Sequence, residues 1–173
     1  MATAVSMGAL SHFVGDAAQP LHTTRHHHGW TGDNPNEFTT KKEIHAQIDA
    51  EVLRKNFLYE DAIRKQVHFD GPDFVQVDRA NPWGSVLAHI ERSHAQVEPL
   101  YRIEKSGDLW KEPGAKMIGE RLADGAGFLS ALYVAAWESS APTDEDVALF
   151  VKYDGFAEGP AKPAGEPNKE PAK

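Results

Sequence analysis

The sequence contains no cysteine. Disulfides, thiolate metal sites and thiol nucleophiles are thereby excluded, and any metal must be held by nitrogen and oxygen donors. It also lacks a run of about 18 apolar residues, the length a membrane-spanning helix needs. Positive charge is scarce: 18 Lys and Arg stand against 26 Asp and Glu, a formal net charge of −8. That balance argues against a broad electrostatic grip on nucleic acid or anionic lipid. It leaves a phosphate ligand open, because a bound cation adds local positive charge that side-chain counting misses. No basic segment precedes an apolar stretch at the N-terminus, so no signal peptide is read there. Convincing period-two strands and internal repeats are missing as well, which points to an all-α protein.

What is present is ordinary in bulk and unusual in detail. With 173 residues, 40% hydrophobic and 25% charged, the chain has the make-up of one globular domain long enough for a core. The pattern predicts a helix over residues 2–18, with apolar positions at Val5, Leu10, Phe13 and Val14. It begins without a capping residue, as a chain opened inside an element would. A loop rich in Gly, Pro, Asn, Asp and His follows over 19–38, long enough to be functional in its own right. Thr39 and Thr40 are the expected caps of a helix over 41–57, in which Ile44, Ile48 and Val52 share the buried stripe. A short helix is expected over 60–67 and irregular chain over 68–80. Asn81-Pro82 then reads as a cap and first helical residue, opening a helix to about Lys105 with a kink near Pro99. A long helix is expected over 114–138, offering Leu122, Phe128, Leu129, Leu132 and Val134 to the core. Thr143 is the expected cap of a last short helix through Val151. Residues 155–173, nearly devoid of apolar side chains, read as a disordered tail beyond a helical domain over 1–154.

Chemistry concentrates in two places. Residues 10–22 read Leu-Ser-His-Phe-Val-Gly-Asp-Ala-Ala-Gln-Pro-Leu-His, and residues 45–49 read His-Ala-Gln-Ile-Asp. His12 and Asp16 are four apart, so on a helix they lie on one face; His45 and Asp49 repeat the spacing. Pro20 ends the first helix and turns the chain at His22. Imidazole and carboxylate suit zinc, and three protein ligands leave one position open. A lone His-x-x-x-Asp pair carries little weight, since chance alone supplies roughly 0.6 of them in a chain of this composition. Taken alone, His45 and Asp49 also read as an exposed polar pair worth a few tenths of a kcal/mol.

The longer string is what distinguishes this chain. His-Phe-x-Gly-Asp, then Gln-Pro-Leu-His, then a later helix with His-x-x-x-Asp resembles the zinc-dependent phospholipase C and S1/P1 nuclease superfamily. Weaker echoes continue to about Trp137, in Ser93-His94-Ala95-Gln96-Val97 and around residues 119–123. The resemblance implies a helical bundle of that type. It implies that His22, His45 and Asp49 hold one zinc, that His12 binds a second, and that Asp16 bridges the second to a third. It further implies hydrolysis of phosphodiesters by a metal-activated water, with single-stranded nucleic acid or a phospholipid headgroup as substrate and Asp16 as the catalytic residue. The long loop before His45 and the Asp at position 49 lean towards the nuclease branch. Family enzymes are secreted or periplasmic.

One departure stands out. Family members carry a long segment ahead of the first helix, which supplies the N-terminal residue, an early His and an Asp/His pair to the metals. His12 and Asp16 do not complete two metal sites without it. The resemblance therefore covers the C-terminal half to two-thirds of such an enzyme, and the chain reads as a fragment. The alternative is a degenerate relative with one structural zinc and no catalysis, acting as a metal-binding or interaction domain.

Two further clusters have competing readings. Arg25-His26-His27-His28-Gly29-Trp30 is either a loop near the metals that contacts phosphate through Arg25, or a solvated polar loop with Trp30 as a packing anchor. Glu91-x-x-His94, with Glu98 four further on, has metal spacing. A di-iron bundle needs a second such motif and more glutamates, and these are not evident.

Overall fold

The structure is a computed structural model and describes residues 2–56 and 76–153. Among them every regular element is helical, and none is long and apolar enough to cross a membrane. The helices are α1 (Ala2–Ala18), α2 (Glu43–Ala46), α3 (Val52–Asn56), α4 (Pro82–His94), α5 (Val97–Lys105), α6 (Glu112–Ser139) and α7 (Asp144–Tyr153). A 3₁₀ turn, Pro20–Thr23, follows α1, and a π turn, Gln47–Glu51, joins α2 to α3. The chain divides into two units, Met1–Ser139 and Ser140–Lys173. The helix expected over 60–67 and the tail over 155–173 lie outside the described residues.

In the first unit one core cluster forms around Leu21, Phe38, Ile44, Ile48, Val52, Leu100, Tyr101 and Ile118. It sits directly beneath the sequence motifs. Leu21 is fully buried between Gln19 and His22, so the turn after α1 is anchored by its own apolar residue. Ile44, Ile48 and Val52 are buried as the four-residue repeat requires. A second cluster of Val14, Phe128 and Leu132 joins α1 to α6. There the helices approach closely: a Cβ at Gly125 would stand 2.9 Å from the Ala18 methyl. In the second unit Thr143 caps α7, its Oγ1 accepting the Asp146 N–H at 3.2 Å while Asp146 Oδ2 accepts the Thr143 N–H at 2.9 Å.

Four expectations are corrected. Thr39 and Thr40 do not cap the second motif helix, which starts at Glu43 after an uncapped Lys42; Thr39 Oγ1 instead accepts the Lys41 N–H in the approach to it. The helix expected over 82–105 is two helices, broken at Ala95 and Gln96. Pro99 causes no kink because it falls in the first turn of α5, where no helical N–H is required. Asn81 does cap α4, accepting the Gly84 N–H at 2.9 Å. Val134 is exposed instead of core, as are Val5 and Phe13 on α1.

Candidate metal centre

The 3₁₀ turn and the π turn bring three side chains together. His22 Nε2 lies 3.2 Å from His45 Nε2 and 3.4 Å from Asp49 Oδ2, and His45 Nε2 lies 2.9 Å from Asp49 Oδ2. Donor atoms of all three fall within 4.8 Å of one another, and the group could hold a metal ion. The side chains of His22, His45 and Asp49 are 26%, 22% and 35% exposed, so the centre sits in a wall of the molecule open to a ligand. The π turn matters here. An α-helix advances a residue four places on by about 40° around its axis, and a wider turn shortens that advance. His45 and Asp49 are thereby brought more nearly in line.

The outer atoms of these side chains fix what the inner atoms are. His45 Nδ1 lies 2.9 Å from the carbonyl oxygen of His27, an acceptor only, so Nδ1 carries the proton and Nε2 presents a lone pair. His22 Nδ1 faces Asp16 Oδ1 at 3.5 Å, another acceptor, with the same consequence. Asp49 Oδ1 accepts the Gln19 amide N–H at 2.8 Å, which leaves Oδ2 facing inward. Gln19 is itself oriented, because its carbonyl oxygen accepts the Leu21 backbone N–H. Three acceptor atoms thus converge with no donor between them. A cation would relieve their mutual repulsion, and a hydrogen-bond partner on the far side of each side chain is the usual support of a metal site.

Loop 24–42 delivers the His27 carbonyl. Gly29 has a φ of 96° and packs so tightly that a Cβ would meet the Thr40 backbone at 2.4 Å. Trp30 follows it as a packing anchor, stacked on His26 at 3.9 Å and in contact with Phe38 and Tyr101 at 4.8 and 5.3 Å. Tyr101 donates its hydroxyl to the His26 carbonyl, and burial pushes its pKa up to about 12, so it remains a donor at any ordinary pH. The His28 ring lies 5.0 Å from that of His45 on the solvent side.

His12 and Asp16 stand beside the group. Asp16 Oδ2 is 3.4 Å from His12 Nε2, and the two side chains are 47% and 71% exposed. Asp16 therefore spans His12 and His22. Among the described residues no further acidic or imidazole group joins them in a second set of three. His94 lies outside the group of three, its Nδ1 facing the Thr23 carbonyl at 3.0 Å.

Residues that sequence reasoning left without a role surround the centre. Gln19 was inside the quoted string, and its place before Pro20 was the available signal. A cleft of about 260 Å³ opens beside the centre, lined by Asp16, Gln19, His22 and Asp49 and by apolar side chains including Leu53, Met117 and Leu122. Arg121 is the one basic side chain in its lining and has Asp124 at 3.4 Å. Arg121 comes from α6, within the weak echo over 119–123, which assigned it no role. Comparison with known proteins adds no relative: no protein-family model matches the chain, and no curated protein or solved structure matches it either.

Proposed function

We propose that the chain is the zinc-binding portion of a phosphodiester hydrolase of the phospholipase C or S1/P1 nuclease type, with His22, His45 and Asp49 as ligands of one zinc. The observation that carries this reading is the convergence of three acceptor atoms. A tetrahedral zinc with bonds of about 2.0–2.1 Å places neighbouring ligand atoms about 3.3–3.4 Å apart. The separations of 3.2, 3.4 and 2.9 Å fit with only a small adjustment of Asp49. When bound, zinc supplies Lewis acidity at neutral pH, acidifying water and polarising a phosphoryl oxygen.

The chain's own groups support the rest. Asp16 holds the Nδ1 proton of His22 and keeps that imidazole in the ligating tautomer. Arg121 offers the adjoining cleft a cation for phosphate, and the apolar lining limits water around it. His12 and Asp16 supply two donors towards further zinc ions, as the resemblance implies. A longer chain carrying the family's preceding segment would add the others.

Zinc stoichiometry together with hydrolysis tests the proposal. Zinc-loaded protein is expected to hold at least one tightly bound ion and to cleave a nitrophenyl phosphodiester, with two or three ions in a complete chain. One tight zinc with no hydrolysis, in the chain and in any longer form, would leave the structural-zinc alternative standing. Failure to bind zinc would end both readings.

A further inference from the structure

Arg121 reaches the cleft beside the metal centre with most of its guanidinium unused. Its side chain is 19% exposed, and its one polar partner among the described residues is Asp124, whose Oδ2 accepts from Nη1 at 3.4 Å. A guanidinium carries more N–H groups than one such contact can use. Among the described residues the one buried side-chain nitrogen or oxygen left without a partner is Ser93 Oγ, so the unpartnered N–H groups of Arg121 are not buried. The cleft is the opening that Arg121 lines, together with Asp16, Gln19, His22 and Asp49.

Asp124 has the features of an anchor. Its side chain is 14% exposed, Oδ2 also faces His89 Nδ1 at 3.2 Å, and Oδ1 faces Arg92 Nε at 3.6 Å. Arg121 and Asp124 are three apart on α6, whereas His89 and Arg92 come from α4, so the carboxylate is fixed from a second helix. Two guanidinium groups share this one carboxylate, which leaves positive charge over in a chain of net charge −8. An arginine held at one edge and open at the other presents its fork ready-made to an oxyanion. Released from that hold, the same side chain would have to be ordered by its ligand, at a cost in affinity.

We propose that Asp124 is a positioning residue, aiming the Arg121 guanidinium at an oxyanion bound beside the metal centre. The affinity of the cleft for phosphate then depends on Asp124 only through Arg121. The proposal rests on the phosphodiesterase reading above and gives that site the group that orients its phosphate.

The test is a double-mutant cycle on the full zinc-loaded chain, read as the dissociation constant of inorganic phosphate by titration calorimetry. Arg121→Ala is expected to weaken phosphate binding about tenfold, the scale of a lost charged hydrogen bond. Asp124→Asn should weaken it about fivefold, through the cost of ordering Arg121, with zinc content and helicity retained. In the Arg121→Ala background Asp124→Asn should have no further effect. Asp124→Glu keeps the charge opposite His89 and Arg92 but displaces Arg121. It should lose about threefold, and it serves if the amide variant does not fold. Binding unchanged in Arg121→Ala, or unchanged in both Asp124 variants, overturns the proposal. So does an Asp124→Asn loss of equal size in both backgrounds, because a residue that only ties α4 to α6 weakens the cleft whether Arg121 is present or not. A wild-type chain that binds no phosphate overturns it as well. The cycle is repeated with a chelator in place of zinc. The same Arg121-dependent effect there, with no turnover of the nitrophenyl diester by the zinc-loaded wild type, supports the positioning role and ends the hydrolase reading alone.

Discussion

His45 Nδ1 lies 2.9 Å from the backbone carbonyl oxygen of His27. A main-chain atom of the loop thus fixes the tautomer of a side chain on a helix. The contact predicts an asymmetry between two neighbouring substitutions. His27→Ala retains the carbonyl and should leave zinc affinity nearly unchanged. Gly29→Ala cannot keep both a φ of 96° and the close approach to Thr40, so the carbonyl must shift. Zinc affinity is expected to fall about 10–100-fold, the usual cost of losing a ligand's supporting partner. Competition against a metallochromic chelator measures both. Equal losses in the two variants would show that the His27 ring, and not its carbonyl, supports the centre.

Gln19 makes the matching contact on the carboxylate. Its amide donates to Asp49 Oδ1 at 2.8 Å. Gln19→Glu removes the donor and sets a second negative charge against Asp49. Gln19→Ala removes only the donor. Zinc affinity should therefore decline in the order wild type, Ala, Glu, with the first step about tenfold. A Glu variant that binds as well as wild type would mean that the carboxylate has turned inward as an extra ligand, and Gln19 would not be an orienting residue.

Ligand truncation separates the centre from the helices that carry it. His45→Ala should lower zinc content by about one ion per chain. Asp16→Asn should preserve helicity, since Asp16 is half exposed and the amide oxygen can still face His22. The charge facing His22 Nδ1 is lost, and on the proposed reading phosphodiester hydrolysis should be abolished. Circular dichroism, zinc analysis and turnover on the same samples decide the matter. Activity within a few-fold of wild type would remove Asp16 from the mechanism.

The sequence made one part of this centre readable and hid another. His45 and Asp49 were legible because four-residue spacing places side chains on one helical face whatever surrounds them. His22 was legible because Pro20 ends a helix at a known place. The π turn was not, since a one-residue widening of a helix has no reliable side-chain signature. Neither was the His27 carbonyl, because every residue but its conformation offers the same acceptor. Arg121 enters from a helix far along the chain, and only packing brings it to the cleft. The apolar stripes told the same story in the fold. Ile44, Ile48 and Val52 are buried as their repeat suggests, whereas Val5, Phe13 and Val134 show that periodicity marks a stripe without saying what covers it.

A last prediction concerns the buried pair behind the centre. His89 is fully buried, with Nδ1 3.2 Å from Asp124 Oδ2, Nε2 3.4 Å from the Val14 carbonyl and its ring stacked on Phe128 at 4.4 Å. It ties α1, which carries Asp16, to α4 and α6. Burial opposes ionisation of Asp124, but the His89 hydrogen bond and the charges of Arg92 and Arg121 outweigh it and hold the carboxyl below its ordinary value of 3.8. A carboxylate depressed in the folded state binds fewer protons there than in the unfolded chain, so its contribution to stability rises with pH. That contribution is fully present above the ordinary carboxylate range and is lost as pH falls through the folded value. Asp124→Asn should therefore be less stable than wild type by about 1–3 kcal/mol at neutral pH. The gap should close in acid, as the wild-type carboxyl takes up its proton. Urea unfolding of both proteins with a chelator present throughout, so that zinc release plays no part, reads the gap at each pH. A difference that stays constant or widens towards acid would show that Asp124 acts through packing and not through its charge.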